Sequence, residues 1–366
     1  MIRINDGKSQ DGRLSIVFTG GGTAGHVVPN LAIFSHLRGE SKFNDFHYIG
    51  SKSGIEKEIV SKNGGIRFHG ITCEKFRRSL SPKNILIPFK VIKGISEAKK
   101  ILKEISPKVV FSKGGFVTYP VVRAAKSLRI PIVIHESDIS MGLANKMSAK
   151  HAHKILTSFE KTRDTLYEKF DEKVIHTGSP IRREIFQGDK ARIYSEFEFD
   201  KTKKNLLVIG GSLGAARLNE SVSELMPEIW AEWNVLHVTG RGKMSGAKFP
   251  NYTQVEYMNE IWHVYDWADV VISRAGSNSV FELMALGKAC IFIPLSTGRG
   301  DQIENIQVIL EKNCGLVLFE ENLTKDSLYR MICNAISHKN QLEMNARVFG
   351  GYNGIQKIIN ILYCYA

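Results

Sequence analysis

A histidine closes the run FTGGGTAGH, residues 18–26, and another opens HESD, residues 135–138. A hydroxyl nucleophile needs a base to take its proton as it attacks, and histidine or a carboxylate can serve. His26, Glu136 and Asp138 are therefore the first residues to place. Two further stretches carry hydroxyls at a glycine-rich helix start: GGSLGA with Ser212, and SRAGSNSVFE with Ser277, Asn278 and Ser279, followed by Glu282. Free N–H groups and the positive end of a helix suit an anion such as a phosphate. The chain has no G-x-x-x-x-G-K-[ST], which excludes a P-loop kinase. It also has no D-x-D pair on a loop to hold a metal that bridges a diphosphate. Charge on a leaving phosphate must then be met by backbone amides, hydroxyls and arginine. Taken singly, each stretch is ordinary turn chemistry, and a lone histidine at such a place is as readily a capping or packed residue.

The elements that must position these residues recur in two halves. Short apolar runs read as strands at Leu14–Phe18, Phe46–Ile49, Val109–Phe111, Ile132–Ile134 and Lys154–Thr157. They recur at Asn205–Ile209, Asn234–Val238, Thr253–Glu256, Val270–Ile272, Ala289–Ile293 and Gly315–Leu318, with helical stretches between them. Such alternation indicates parallel sheets covered by helices on both faces. Both halves open on the same grammar, LSIVF-TGGGTAG and NLLVI-GGSLGA, each a strand, a glycine turn and a helix. The expected fold is α/β, of two doubly wound, Rossmann-like domains facing a cleft. Gly178 and Pro180 in HTGSPIRRE mark the join. The expected division is 1–178, 179–345, and a terminal helix in 346–366 that packs back on the first domain. The candidate loops, SKGGFVTYP (112–120) included, all follow strand carboxyl ends, where open parallel sheets bind ligands.

A chain of 366 residues, 43% hydrophobic and 24% charged, is an ordinary soluble globular composition, long enough for two domains. The five cysteines, Cys73, Cys290, Cys314, Cys333 and Cys364, form no metal-spaced pairs and read as reduced thiols. The polar N-terminus lacks a signal-peptide core, and no window approaches the ~18 apolar residues of a spanning helix. A cytoplasmic protein is expected. The net charge of +13 calls for an anionic partner, and Glu74–Lys108 holds ten Lys/Arg against three Glu. Within it, residues 76–94 interleave Phe76, Leu80, Ile85, Leu86, Ile87 and Phe89 with Arg77, Arg78, Lys83, Lys90 and Lys93. No recognition helix or stacking module accompanies this charge, so nucleic acid is not the expected partner. An anionic lipid surface fits better, and a solvated helix face with a buried stripe fits equally well.

GGGTAGHVVPNLA, KGGFVTYPVVRAA, HESDISMGLANK, GGSLGA, SRAGSNSVFELMALGKACIFIP and RGDQIENI together resemble, in order and spacing, the bacterial undecaprenyldiphospho-muramoylpentapeptide β-N-acetylglucosaminyltransferases. These are GT-B glycosyltransferases of peptidoglycan synthesis, the pathway of cell shape and division, and they convert lipid I to lipid II. The resemblance implies an inverting transfer from UDP-N-acetylglucosamine to the 4-hydroxyl of lipid I. It further implies a peripheral place on the cytoplasmic face of the membrane, no cofactor or metal, and room for other wall-synthesis enzymes as partners. Position by position, it puts Thr23, Ala24 and Gly25 against the donor and has Arg182 (in GSPIR) and Ser212 hold its diphosphate. Met258 (in YMNEI) stands beside the uracil through its backbone, and Ser277, Asn278 and Ser279 form a phosphate-facing turn. Glu282 meets the ribose hydroxyls and Gln302 (in RGDQIEN) the sugar. Asn145 and Lys146 keep the pattern, whereas Ser137-Asp138 departs from members with asparagine after His-Glu-Gln, so Asp138 acts either as base or in acceptor binding. His26 is the first choice for base, with hydrogen bonding to the acceptor diphosphate or a neighbouring loop as its other role; Glu136 and Asp138 stand in reserve. A diacylglycerol-type glycosyltransferase, a UDP-N-acetylglucosamine 2-epimerase and a non-catalytic UDP-sugar-binding protein are the competing readings.

Overall fold

A computed structural model describes residues 14–39, 42–74, 87–166, 168–210, 215–296, 300–350 and 353–366. The chain forms two compact units, Met1–Pro180 with Asn353–Ala366, and Ile181–Tyr352. In the first, seven parallel strands run β1 (Ser15–Thr19), β2 (Asp45–Ser51), β3 (Arg67–Ile71), β4 (Val109–Ser112), β5 (Ile132–Glu136), β6 (Lys154–Thr157) and β7 (Val174–His176). Their order across the sheet is β3-β2-β1-β4-β5-β6-β7. In the second unit β8 (Lys204–Ile209), β9 (Trp233–Val238), β10 (Tyr252–Val255), β11 (Val270–Ser273), β12 (Ala289–Phe292) and β13 (Leu316–Val317) are ordered β10-β9-β8-β11-β12-β13. Both orders reverse direction once, between β1 and β4 and between β8 and β11, and the crevice at such a switch point is where doubly wound sheets take ligands.

The central strands are apolar because helices cover both faces, and SIVFT of β1 is buried at every position. Each sheet accordingly carries one apolar cluster on either face. The two strands that sequence reading passed over, β3 and β7, are edge strands. RFHGI and VIH are mostly half-exposed and lack the unbroken apolar run that marks a strand buried on both sides. The terminal helix Ile355–Tyr363 buries Ile355, Ile358, Ile359 and Leu362 with Ile16, Phe18, Ile33 and Leu37. Each such side chain contributes about 2 kcal/mol. The returning segment begins at Asn353, later than the expected 346, because the preceding helix Lys339–Gly350 packs in the second unit. There Phe349 stacks on Phe281, and a side chain on Gly350 would meet the backbone of Met284 at 2.2 Å.

His237 on β9 ties this core to pH. Its Nε2 lies 3.0 Å from Asn219 Oδ1, and its Nδ1 lies 2.9 Å from the Tyr252 hydroxyl. Because Asn219 Oδ1 can only accept, Nε2 carries a proton. Burial pushes its pKa down to about 4. The unfolded chain takes up this proton near pH 6.5 and the folded one only near 4, so stability is full above about 6.5 and is lost as pH falls through that window. The loss from this group is on the order of 3 kcal/mol. His47 and His69, paired at 2.9 Å and likewise lowered by burial, act in the same direction. Urea midpoints of the parent protein should fall between neutral and mildly acidic pH, and His237→Gln should flatten that fall.

Candidate active site

In the first unit the candidate residues gather at the carboxyl ends of β1, β4 and β5. After β1 the chain turns through Gly20–Gly22 into the helix Ala24–Leu37, with Thr23 as N-cap in an extended conformation. Its hydroxyl makes no capping hydrogen bond, and the residue is exposed. The turn is held from below. Gly22 N–H donates to Glu56 Oε2 at 3.2 Å, and Gly21 N–H donates to Gly114 O at 3.4 Å. Glu56 is fully buried and also accepts from Ser51 N–H at 2.9 Å. A side chain on Gly115, whose φ is +89°, would meet Gly21 O at 2.1 Å and His26 Cδ2 at 3.1 Å. The glycine run thus lets two loops and a buried carboxyl group close together; it does not present a bare row of amides, because Glu56 already takes up one of them. His26 stands in the first turn of the helix with its ring beside Gly115.

Glu136, expected as a reserve base, has its carboxylate committed. Oε1 accepts from Ser137 N–H (2.8 Å) and Asp138 N–H (3.1 Å), and Oε2 from Gly142 N–H (2.9 Å) and Asn145 Nδ2 (2.9 Å). Four donors shape the 137–142 loop around it and leave it poorly placed to accept a substrate proton. Asp138, half-buried, is held by its backbone, through its N–H to Glu136 and its carbonyl to Thr162 Oγ1 at 3.1 Å. Lys113, a residue the sequence reading did not single out, is buried beside them. Its signal was a lysine at the end of an apolar strand, directly before two glycines.

In the second unit β11 ends at Ser273 and Arg274-Ala275-Gly276 leads into the helix Ser277–Ala285. A side chain built on Gly276 would meet nothing within 4 Å among the described residues, which leaves room for a ligand at the start of this helix. Ser277 is buried at that start, while Asn278 and Ser279 are half-exposed. Arg274 is structural: it donates to Ile293 O at 3.1 Å and to Glu320 Oε1 at 2.6 Å. Arg182 and Glu282, expected on different parts of a nucleotide, touch each other. Nε donates to Oε1 at 2.8 Å and an outer guanidinium nitrogen donates to Oε2 at 3.1 Å, a two-pronged pair with side chains 23% and 12% exposed. Burial disfavours the guanidinium charge, but the Glu282 carboxylate outweighs it and holds the Arg182 pKa above its ordinary value. Gln302 follows Gly300 at the start of the helix Asp301–Lys312, and its side-chain oxygen accepts from Leu295 N–H at 2.9 Å. Met258, in the loop after β10, packs partly against the apolar cluster around Ile261 and Val264. Ser212 lies outside the described residues.

The basic-apolar segment is described from residue 87 onward, so Phe76, Arg77, Arg78, Leu80, Lys83, Ile85 and Leu86 lie outside the described residues. The helix Ile87–Ile105 sorts the remainder by phase. Ile87, Gly94, Ala98 and Leu102 face inward, whereas Phe89 and Ile92 are 69% and 65% exposed. Ile87, expected on the lipid side, is thus a packing residue at 9% exposure, and Lys90 is ion-paired with Glu74. Among the described residues no helix is long and apolar enough to cross a membrane, and no group of three or more His, Cys, Asp or Glu is placed to hold a metal ion.

Two parallel doubly wound units, each with a switch point at its central strands, make up the GT-B architecture. Residues 16–157 match the glycosyltransferase family 28 N-terminal domain and residues 205–360 the family 28 C-terminal domain, and the chain belongs to that family. It is 42% identical over 352 residues to a Lachnoclostridium phytofermentans protein named UDP-N-acetylglucosamine--N-acetylmuramyl-(pentapeptide) pyrophosphoryl-undecaprenol N-acetylglucosamine transferase, covering 95% of this chain and 98% of the relative. A Clostridium botulinum protein of the same name is 43% identical over 355 residues, covering 96% and 98%. In fold, the chain resembles the crystal structure of Acinetobacter baumannii MurG, with TM-score 0.72 and 22% identity over 95% of this chain and 98% of that one. It also resembles a UDP-GlcNAc 2-epimerase from Neisseria meningitidis bound to UDP-GlcNAc, with TM-score 0.68 and 14% identity over 96% and 99%.

Proposed function

We propose that this protein transfers N-acetylglucosamine from UDP-N-acetylglucosamine to the 4-hydroxyl of undecaprenyl-diphosphate-linked N-acetylmuramoyl-pentapeptide, making lipid II for peptidoglycan. The observation that carries this is the match, at 42–43% identity across nearly the whole chain, to relatives named for that transfer. The likeness to an epimerase is one of fold alone. The acceptor oxygen attacks the anomeric carbon as the bond to the UDP β-phosphate oxygen breaks, so a single displacement turns the α-linked donor into a β product. His26 takes the hydroxyl proton; Asp138 belongs to the acceptor side, and Glu136 shapes the loop that bears it. Thr23, Ala24 and Gly25 meet the donor sugar, and Ser277, Asn278 and Ser279, with the positive end of their helix, meet its diphosphate. Ser212 and Arg182 complete the diphosphate contacts, Glu282 takes the ribose hydroxyls, Met258 lies by the uracil and Gln302 by the sugar. Incubation with radiolabelled UDP-N-acetylglucosamine, with and without a lipid I analogue, tests the reading. Label in the lipid product supports it, whereas conversion of the free nucleotide sugar without acceptor replaces it with epimerisation.

A bilayer-bound acceptor brings the enzyme to the membrane, and the proposed location is peripheral, on its cytoplasmic face. Phe89 and Ile92, exposed on one face of a helix with Lys93 and Lys100 also exposed, support docking to anionic lipid. Phe89→Glu with Ile92→Glu removes two apolar groups, each contributing about 2 kcal/mol on burial. Flotation with anionic liposomes should drop about tenfold or more, while transfer to a short-chain soluble acceptor holds. Equal flotation of variant and parent moves the docking face elsewhere.

A further inference from the structure

We propose that Lys113 is a positioning residue for the transfer, its amine holding the loop that opens at Glu136 and carries Asp138. This rests on the transferase reading above. Lys113 follows β4 directly, its N–H donating to Thr19 O at 2.9 Å, and its side chain is 1% exposed. Lysine is almost never fully buried unless paired, yet the groups its Nζ touches are neutral: His135 Nδ1 at 2.8 Å and the Ser137 hydroxyl. The other nitrogen of His135 lies 3.2 Å from Gly178 O, which can only accept. The proton therefore sits on Nε2, and Nδ1 accepts from the lysine. Burial, with Lys113 adding to it, holds the His135 pKa well below its ordinary value, so the ring stays neutral.

Among the described residues no carboxylate bonds this amine directly; a buried ammonium so placed is costly, and an apolar residue of similar length would serve packing better. What the amine adds is direction. Ser137 lies between Glu136 and Asp138, so the bond to its hydroxyl sets the exit of the loop from β5, while Gly142 N–H and Asn145 Nδ2 on Glu136 Oε2 close its far end. The next two residues, Gly114 and Gly115, pack on Gly21 and on the ring of His26. The amine thus bonds the loop after β5, while the backbone that follows the same residue packs on the loop after β1. The ionisable groups facing it are His135, Glu136 and Asp138, with His176 acting on His135 from β7. Burial lowers the lysine to about 8, and the two carboxylates only partly oppose this. Loss of its proton should therefore appear in the pH dependence of turnover.

The test uses the full chain with labelled donor and a lipid I analogue, comparing the parent with Lys113→Met and Ser137→Ala between about pH 6 and pH 10. Lys113→Met should lower kcat about tenfold to a hundredfold, leave UDP affinity by calorimetry unchanged, and remove an alkaline limb near pH 8 from the parent profile. Its unfolding midpoint should hold or rise, the opposite of what a merely structural role requires. Ser137→Ala should lower kcat by a smaller factor and shift the same limb, and it decides the matter alone if Lys113→Met does not fold. A kcat within about twofold of the parent and an unmoved alkaline limb overturn the role of Lys113. A parent protein that transfers no label overturns the transferase reading itself.

Discussion

His26→Ala is expected to lower kcat by about two to four orders of magnitude, the range that a positioned general base supplies, with UDP affinity unchanged. The ring lies in the first turn of the helix after β1, against Gly115 and at the switch point of the first sheet. Of the two carboxylates that compete for the role, Glu136 already accepts four hydrogen bonds from its own loop. Asp138, placed on the acceptor side and not as the base, should cost less in kcat as Asp138→Asn than His26→Ala does. Steady-state kinetics with varied acceptor separates the two roles of His26. If kcat holds and only the acceptor KM rises, His26 binds the acceptor and a different group takes the proton.

Glu282→Ala is expected to weaken UDP binding by about tenfold to a hundredfold, from the loss of a charge-assisted hydrogen bond of about 1.5–3 kcal/mol. The pairing with Arg182 sharpens this expectation. The carboxylate is held by the guanidinium, so a donor that engages both must share or open that pair. Removal of Glu282 also strands a guanidinium whose side chain is only 23% exposed, and the unfolding midpoint should fall with affinity. The double variant with Arg182→Ala distinguishes the contributions. If Glu282 serves only to hold Arg182, its loss should cost nothing more once Arg182 is gone. Unchanged UDP affinity by calorimetry in the single variant removes Glu282 from the donor site.

The two doubly wound units are legible in the order of residues alone. Strands buried on both faces must be apolar at nearly every position, so Ile16–Phe18 or Val270–Ile272 announce themselves, and the half-exposed edges Arg67–Ile71 and Val174–His176 do not. That order also located the loops, because a strand in such a sheet ends where small residues and helix starts begin, and the order of six motifs pointed to the family. Which side chains meet depends instead on how the chain folds. Spacing along the chain carries no record of a bond between Arg182 and Glu282, one hundred residues apart, nor of the amine of Lys113 lying under Ser137. Nor could it tell that Glu56, an ordinary acid on a short helix, sits beneath the glycine turn and takes up one of its amides. Helical phase decided the rest. Ile87 and Phe89 are two residues apart and equally apolar, but with about 100° of rotation per residue they fall on opposite faces. Contact with the helix Thr118–Ser127 and with Thr72, closed up at Gly94, determined that Ile87 packs inward and Phe89 is left to solvent.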